Sequence, residues 1–367
     1  MFAVGGDQEE QKPRTRCGYQ PNESLKSFEK ALAQSGLQAT GRTLHFAADV
    51  VCSGGLEVFV RALWEYAVAH IGIASPRVFV YLKSRVKELQ DMMKQLPDEQ
   101  AYAREDFQVR VGELVLVLRE APARTAVAWP KVGPETHSEA WIRTVGTAPE
   151  TAVLRRVWRP EGDLSILRTV GAEICKAIGD GSVEKALFWV KWLIEEEAKM
   201  RKEVKGATMT SVDRGGSGGK GKGSGAGQFV LALYAETYKE LAAKGVIRMS
   251  EEFQVLLDLW RGGVAGGAGV RKGILAVLTQ ILCEVPRWKV PAAPALIKDP
   301  VAMSQTIRQV PKFFKEVLAY DPPRMGVALL KAFRARGAKP AAAKKGEVAA
   351  DKMDAFDRAL EDYFARI

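Results

Sequence analysis

Apolar residues return every three to four positions along most of the chain, while the strict alternation of a half-buried strand is scarce. This spacing predicts helices at Glu23–Gln34, Thr43–Cys52, Leu56–His70, Pro76–Gln95 and Glu99–Glu120. A connection marked by Pro and Gly follows, then helices at Ser138–Val145, Asp163–Ile178 and Val183–Lys202. Beyond a Gly-rich stretch the pattern resumes at Phe229–Lys244, Ser250–Arg261, Val270–Glu284, Ala302–Tyr320, Pro323–Arg336 and Asp351–Arg366. Pro76 and Pro323 suit first-turn positions, and Ser250 ahead of Glu251 and Glu252 suits a cap. The chain reads as all-α.

The two halves share an order of motifs. TLHFAADVV at Thr43–Val51 aligns with ALFWVKWLI at Ala186–Ile194, and FVRALWEY at Phe59–Tyr66 with FVLALYAE at Phe229–Glu236. Phe79 pairs with Phe253. The helix ending at Pro122 pairs with the one ending at Pro286, where Val111, Leu114, Val117 and Leu118 fall on Leu275, Leu278, Ile281 and Leu282. Four matches in one order predict a tandem duplication. The expected organisation is a flexible stretch over 1–21, a first repeat over 22–132, a connector over 133–162 and a second repeat over 163–300 with an insert at 205–227. A helical extension over 301–337, a basic linker over 338–348 and a docking helix over 349–367 complete it.

The insert contains RGGSGGKGKGSGAGQ, Arg214–Gln228, with eight glycines. A phosphate-cradling loop needs G-x-x-x-x-G-K-[ST] after a strand. Here Lys220 and Lys222 are each followed by glycine and a charged helix end precedes, so the stretch reads as a flexible tether.

ALWEYAVAHIGIASPR, Ala62–Arg77, resembles an element in the C-terminal helical domain of the RarA-type replication-associated recombination ATPases. Ile71, Gly72, Ile73, Ala74, Pro76 and Arg77 match that family's Ile-Gly-hydrophobic-Ala-x-Pro-Arg element. The likeness extends upstream to Leu44–Gly54 and downstream to Leu114–Leu118, Ala121, Pro122, Ala126 and Val127. Ala69 and His70 stand where the family carries two acids. No Walker A motif and no Walker B strand accompany the domain, so ATP-driven remodelling does not carry over. The resemblance implies oligomerisation and a platform beside DNA-processing machinery.

Charge sharpens the picture. The 367 residues carry a net charge of +10, which favours polyanionic partners. RRVWRP interleaves Arg155, Arg156 and Arg159 with Trp158, a mixture suited to phosphate contact and stacking, or to a core Trp flanked by solvated arginines. PRWKVP adds Arg287 and Lys289. The acid-free run Lys331–Gly346 adds Lys331, Arg334, Arg336, Lys339, Lys344 and Lys345, a candidate grip on phosphates or a solubilising linker. At the end of the chain Met353, Phe356, Leu360, Tyr363 and Phe364 share one helical face, a candidate docking ridge for a partner or second subunit, or a face that folds back on its own domain.

Other chemistry is thin. His45, His70 and His137 lack metal-binding spacing, with His45 and His70 expected to be partly buried and hydrogen-bonded. Glu195–Glu197 reads as the solvated end of a helix. Cys17, Cys52, Cys175 and Cys283 form no C-x-x-C pair; the last three sit in apolar patterns as reduced, buried thiols. No metal, cofactor or catalytic set is expected, and no apolar run reaches the ~18 residues of a membrane span. The N-terminal residues carry too few apolar positions for a signal peptide. The expectation is a cytoplasmic or nuclear scaffold in DNA replication or repair, forming a homo-oligomer or larger assembly, with DNA as its candidate partner. The alternative is a structural or assembly protein, for example of a large DNA virus and then carried in the virion.

Overall fold

A computed structural model describes residues 13–214, 225–248, 250–262, 268–287, 296–297 and 299–322. They form helices, with one isolated β-bridge between Asp163 and Thr210 and no strand among the described residues. The chain divides into two compact units with interleaved segments. Unit 1 comprises 1–66, 84–121 and 297–367; unit 2 comprises 67–83 and 122–296. Each unit therefore draws on segments on both sides of the sequence connector at 133–162.

Unit 1 contains α1 (Pro21–Leu32), α2 (Leu37–Cys52), α3 (Leu56–Tyr66) and the later turns of α4 (Arg77–Gln95). It also contains α5 (Asp98–Ala103) and α6 (Glu105–Glu120), and it is completed by α14 (Pro300–Ile307) and α15 (Val310–Leu318). Its axis is α2, which is buried on nearly all sides and packs against α1, α3, α5, α6 and α15. Around it lie Phe28, Phe46, Phe59, Phe107 and Phe314, each 2% exposed or less. Arg119 on α6 covers the α1–α2 turn, donating to the Ala31 carbonyl at 2.6 Å, Thr43 Oγ1 at 3.1 Å and the Gly36 carbonyl at 3.2 Å.

Unit 2 opens with a π-turn, Ala67–Ile71, and a 3₁₀ turn, Gly72–Ala74, which pack on α13 (Ala268–Glu284). Gly72 adopts φ +51° there, a left-handed conformation that glycine reaches without steric cost. Ile71 and Ile73 point inward. The unit continues with α7 (Glu139–Val145), α8 (Ala152–Val157), α9 (Ser165–Gly179), α10 (Val183–Glu203), α11 (Ala226–Ala243) and α12 (Ser250–Gly262). Within this unit α13 touches α9, α10, α11 and α12.

Several boundaries differ from expectation. The helix expected over Glu99–Glu120 breaks at Arg104, whose extended backbone (ψ 127°) ends α5 and opens α6. The one expected over Ala302–Tyr320 breaks before α15, where Pro311 occupies a first-turn position. Leu56–His70 stops being α-helical at Tyr66, and His70 is exposed rather than partly buried because the π-turn rotates it outward. The helix α8 was not anticipated. Cys175 is half-buried, whereas Cys52 and Cys283 are buried as expected. The helices expected at Pro323–Arg336 and Asp351–Arg366 lie outside the described residues.

Glu195–Glu197 is not a solvated helix end. Because α10 runs on to Glu203, these residues still lie on its packed part. Glu196 meets His137 Nδ1 at 2.5 Å, and His137 stacks on Trp192 at 5.3 Å between ring centroids. Glu197 is 7% exposed. One of its oxygens accepts the Met209 N–H at 3.3 Å and the Ala226 N–H at 3.1 Å, so it holds the chain on both sides of the Gly-rich stretch and caps the start of α11. The expected tether thus leaves from and returns to a fixed place in one unit.

His45 on α2 lies among Tyr19 and Phe46. Burial pushes its pKa down to about 4, partly offset by nearby Asp49. Between that value and the ordinary one the unfolded chain binds a proton that the folded chain refuses, so stability falls with decreasing pH across this window. Denaturant titrations from pH 7 to about 4 should show a loss of ~2–3 kcal/mol that His45→Phe removes. An unchanged slope in that variant would rule the histidine out.

Candidate nucleic-acid interface

The RRVWRP segment forms α8 and its exit. Thr151 caps the helix, its side chain accepting the Leu154 N–H at 3.2 Å. Val153, Leu154 and Val157 are buried, and Gly171 on α9 admits Leu154 closely: a Cβ there would sit 2.7 Å from Leu154 Cδ1. With that face fixed inward, Arg155 and Arg156 point outward. The Trp158 N–H donates to the Leu154 carbonyl at 2.8 Å and ends the helix.

The basic residues then separate into two kinds. Arg156 pairs with Glu236 at 3.3 Å and Glu240 at 3.0 Å, so its charge is engaged. Trp158 is half-buried, and the Arg168 guanidinium lies 5.3 Å over its ring while bonding Glu150 at 2.9 Å. That is a cation–π stack on one part of the indole. Arg155 and Arg159 are exposed, and among the described residues neither forms an ion pair. They flank Trp158 as two available cations.

The backbone of this corner is locked from below. The Arg159 N–H donates to Asp163 at 2.7 Å, and Asp163, whose side chain is fully buried, also accepts from Thr210 Oγ1 at 2.5 Å. Arg214 closes the cluster with an ion pair to Asp163, a hydrogen bond to the Val157 carbonyl at 3.2 Å and a position 5.3 Å over the Phe229 ring. Sequence reasoning missed Arg214, because a Gly-rich flank carries no sign that its first residue is buried.

Beside α8 opens a cleft of about 480 Å³, lined among others by Val153, Cys175, Ile178, Glu240, Lys244 and Leu282. Burial pushes the Cys175 thiol up to about 11, only partly offset by its hydrogen bond with Thr151. The thiol is therefore protonated near neutrality and a poor nucleophile. Glu240 and Lys244 pair with each other at 2.8 Å. The described residues contain no group of three or more His, Cys, Asp or Glu arranged to hold a metal, and no helix long and apolar enough to cross a membrane.

Of the other predicted positions, Arg287 ends a 3₁₀ turn, Val285–Arg287, with its side chain outside the described set. Lys289, Lys331, Arg334, Arg336, Lys339, Lys344 and Lys345 lie outside the described residues, as do Met353, Phe356, Leu360, Tyr363 and Phe364. No protein-family model, curated protein or solved structure matches the chain.

Proposed function

We propose that this protein is a non-enzymatic, DNA-associated scaffold of replication or repair that works as an oligomer. The observation that carries the reading is the pair Arg155 and Arg159, exposed and, among the described residues, in no side-chain ion pair, on either side of a half-buried Trp158. Cations and an aromatic at such spacing suit phosphate contact with base stacking. The surplus of positive charge across the chain supplies a long-range attraction of the same sign. The resemblance to the RarA-type helical domain adds oligomerisation and a setting in DNA metabolism.

The test is a titration of the full chain against single- and double-stranded DNA at several salt concentrations, with the mass of the oligomer measured in parallel. Affinity should fall steeply with salt. Arg155→Ala/Arg159→Ala should flatten the logarithmic slope by about 1.5–2, near one unit per lost phosphate contact. Trp158→Ala should weaken single-stranded binding by ~1–3 kcal/mol. Assembly that ignores salt, without DNA affinity, would replace this reading with that of a structural or assembly protein.

A further inference from the structure

Residues 13–20 cross unit 1 as a strap, fastened at successive positions along the last turn of α2. The Arg16 N–H donates to Ser53 Oγ at 2.8 Å, and the Cys17 N–H donates to Asp49 Oδ1 at 3.0 Å. Asp49 also accepts from Ser24 Oγ at 2.7 Å, the Arg16 guanidinium pairs with Glu99, and the Tyr19 ring rests on Phe46. Cys52 sits between the two anchor points, one residue before Ser53 and one helical turn after Asp49. Two consecutive strap residues thus bond to residues on either side of Cys52. That register lays the Cys17 backbone across the turn of α2 that carries Cys52; a disulfide requires a Cα separation of ~4.4–6.8 Å. Cys17 feels the charge of Cys52, and both thiols feel the Arg16 guanidinium.

We propose that Cys17 and Cys52 form a reversible disulfide that staples the strap to α2 when a low-molecular-weight disulfide such as oxidised glutathione accumulates. Cys17, the more exposed thiol, loses its proton and attacks one glutathione sulfur, and the other glutathione leaves as a thiolate that takes up a proton. Cys52, deprotonated in turn, attacks the Cys17 sulfur and expels the second glutathione. Two electrons pass from the protein thiols to the glutathione disulfide, which becomes two thiols. Burial, with Asp49 beside Cys17, holds both thiols well above their ordinary range. Since the thiolate is the attacking species, the exchange is slow while the strap is seated and quickens as pH rises. The link would close a loop of roughly 35 residues, restricting the unfolded chain.

The experiment exposes the full chain to oxidised glutathione at about pH 8, alkylates the remaining thiols and maps the peptides. The expected result joins the peptide carrying Cys17 to the one carrying Cys52, with Cys175 and Cys283 alkylated. The melting temperature should rise by several degrees and return on adding dithiothreitol. Cys17→Ser should abolish both the link and the shift; being half-buried and near-isosteric, the change is expected to leave folding intact, whereas Cys52→Ser changes a buried site and serves as the second check. Glutathione left on Cys17 with Cys52 free, a link between two chains, or both thiols intact after prolonged exposure would each overturn the proposal.

Discussion

Replacing Asp163 with alanine should destabilise the protein by about 3–5 kcal/mol. The carboxylate is fully buried and faces Arg214, whose side chain is only 7% exposed, so the substitution strands a guanidinium away from water. The Val157 carbonyl and Thr210 remain as its neighbours, and neither can neutralise it. The Arg159 N–H and Thr210 hydroxyl lose an acceptor in the same step. Asp163→Ala/Arg214→Met should recover much of the loss, because removing both charges leaves neither buried alone. The pair Arg143–Glu139 sets the contrast: about four-fifths exposed on each side, it should contribute under ~1 kcal/mol when broken. Chemical denaturation of Asp163→Ala, Asp163→Ala/Arg214→Met and Glu139→Ala gives the comparison directly. A stability for Asp163→Ala within ~1 kcal/mol of the parent would mean that Arg214 finds water after all.

Gly112→Ala is the second large effect, and here two terms oppose each other. Alanine in a helix interior should gain about 1 kcal/mol over glycine. A Cβ at Gly112, however, would lie 2.7 Å from Cγ1 of Val310 and closer still to Cγ2. Val310 is fully buried at the start of α15, and its β-branched side chain cannot swing aside. Overpacking should win, with a net loss of about 1–3 kcal/mol in thermal or chemical unfolding. Val310→Ala in the same chain makes room, so the double variant should be less destabilised than the two single losses added together. Strict additivity would show that α6 and α15 do not meet at this point.

The apolar stripes were legible because burial follows periodicity. Val111, Leu114, Val117 and Leu118 are all buried, as are Leu275, Leu278, Ile281 and Leu282. Helix ends were less so. The break at Arg104 has no Gly or Pro to mark it, although the acids Glu105 and Asp106 after it are a first-turn signal that could have been used. Pro311 likewise announced a new start within what read as one helix. At the candidate interface, RRVWRP identified the right corner of the chain, but which arginines remain available depends on Glu236 and Glu240, some 80 residues away. The same holds for Glu197: a local reading sees three acids at the end of an apolar helix, whereas its role is set by Met209 and Ala226. Partners as distant as Ala226, Glu236 and Glu240 leave no trace in a window of twenty residues.

The order in which segments enter unit 1 bears on how the protein is made. Among the described residues its last helices, α14 and α15, bring Met303, Val310, Phe313, Phe314 and Val317 to a core whose other members end at residue 121. At ribosomal speeds of ~5–20 residues per second, some 10–40 s separate those two points in synthesis. During that interval the segments that build unit 2 are delivered in full, while the nascent first unit exposes the surface that α15 later seals. Synthesis therefore favours completing the inner stretch of the chain before the outer one, and leaves a transient apolar face for a chaperone to guard.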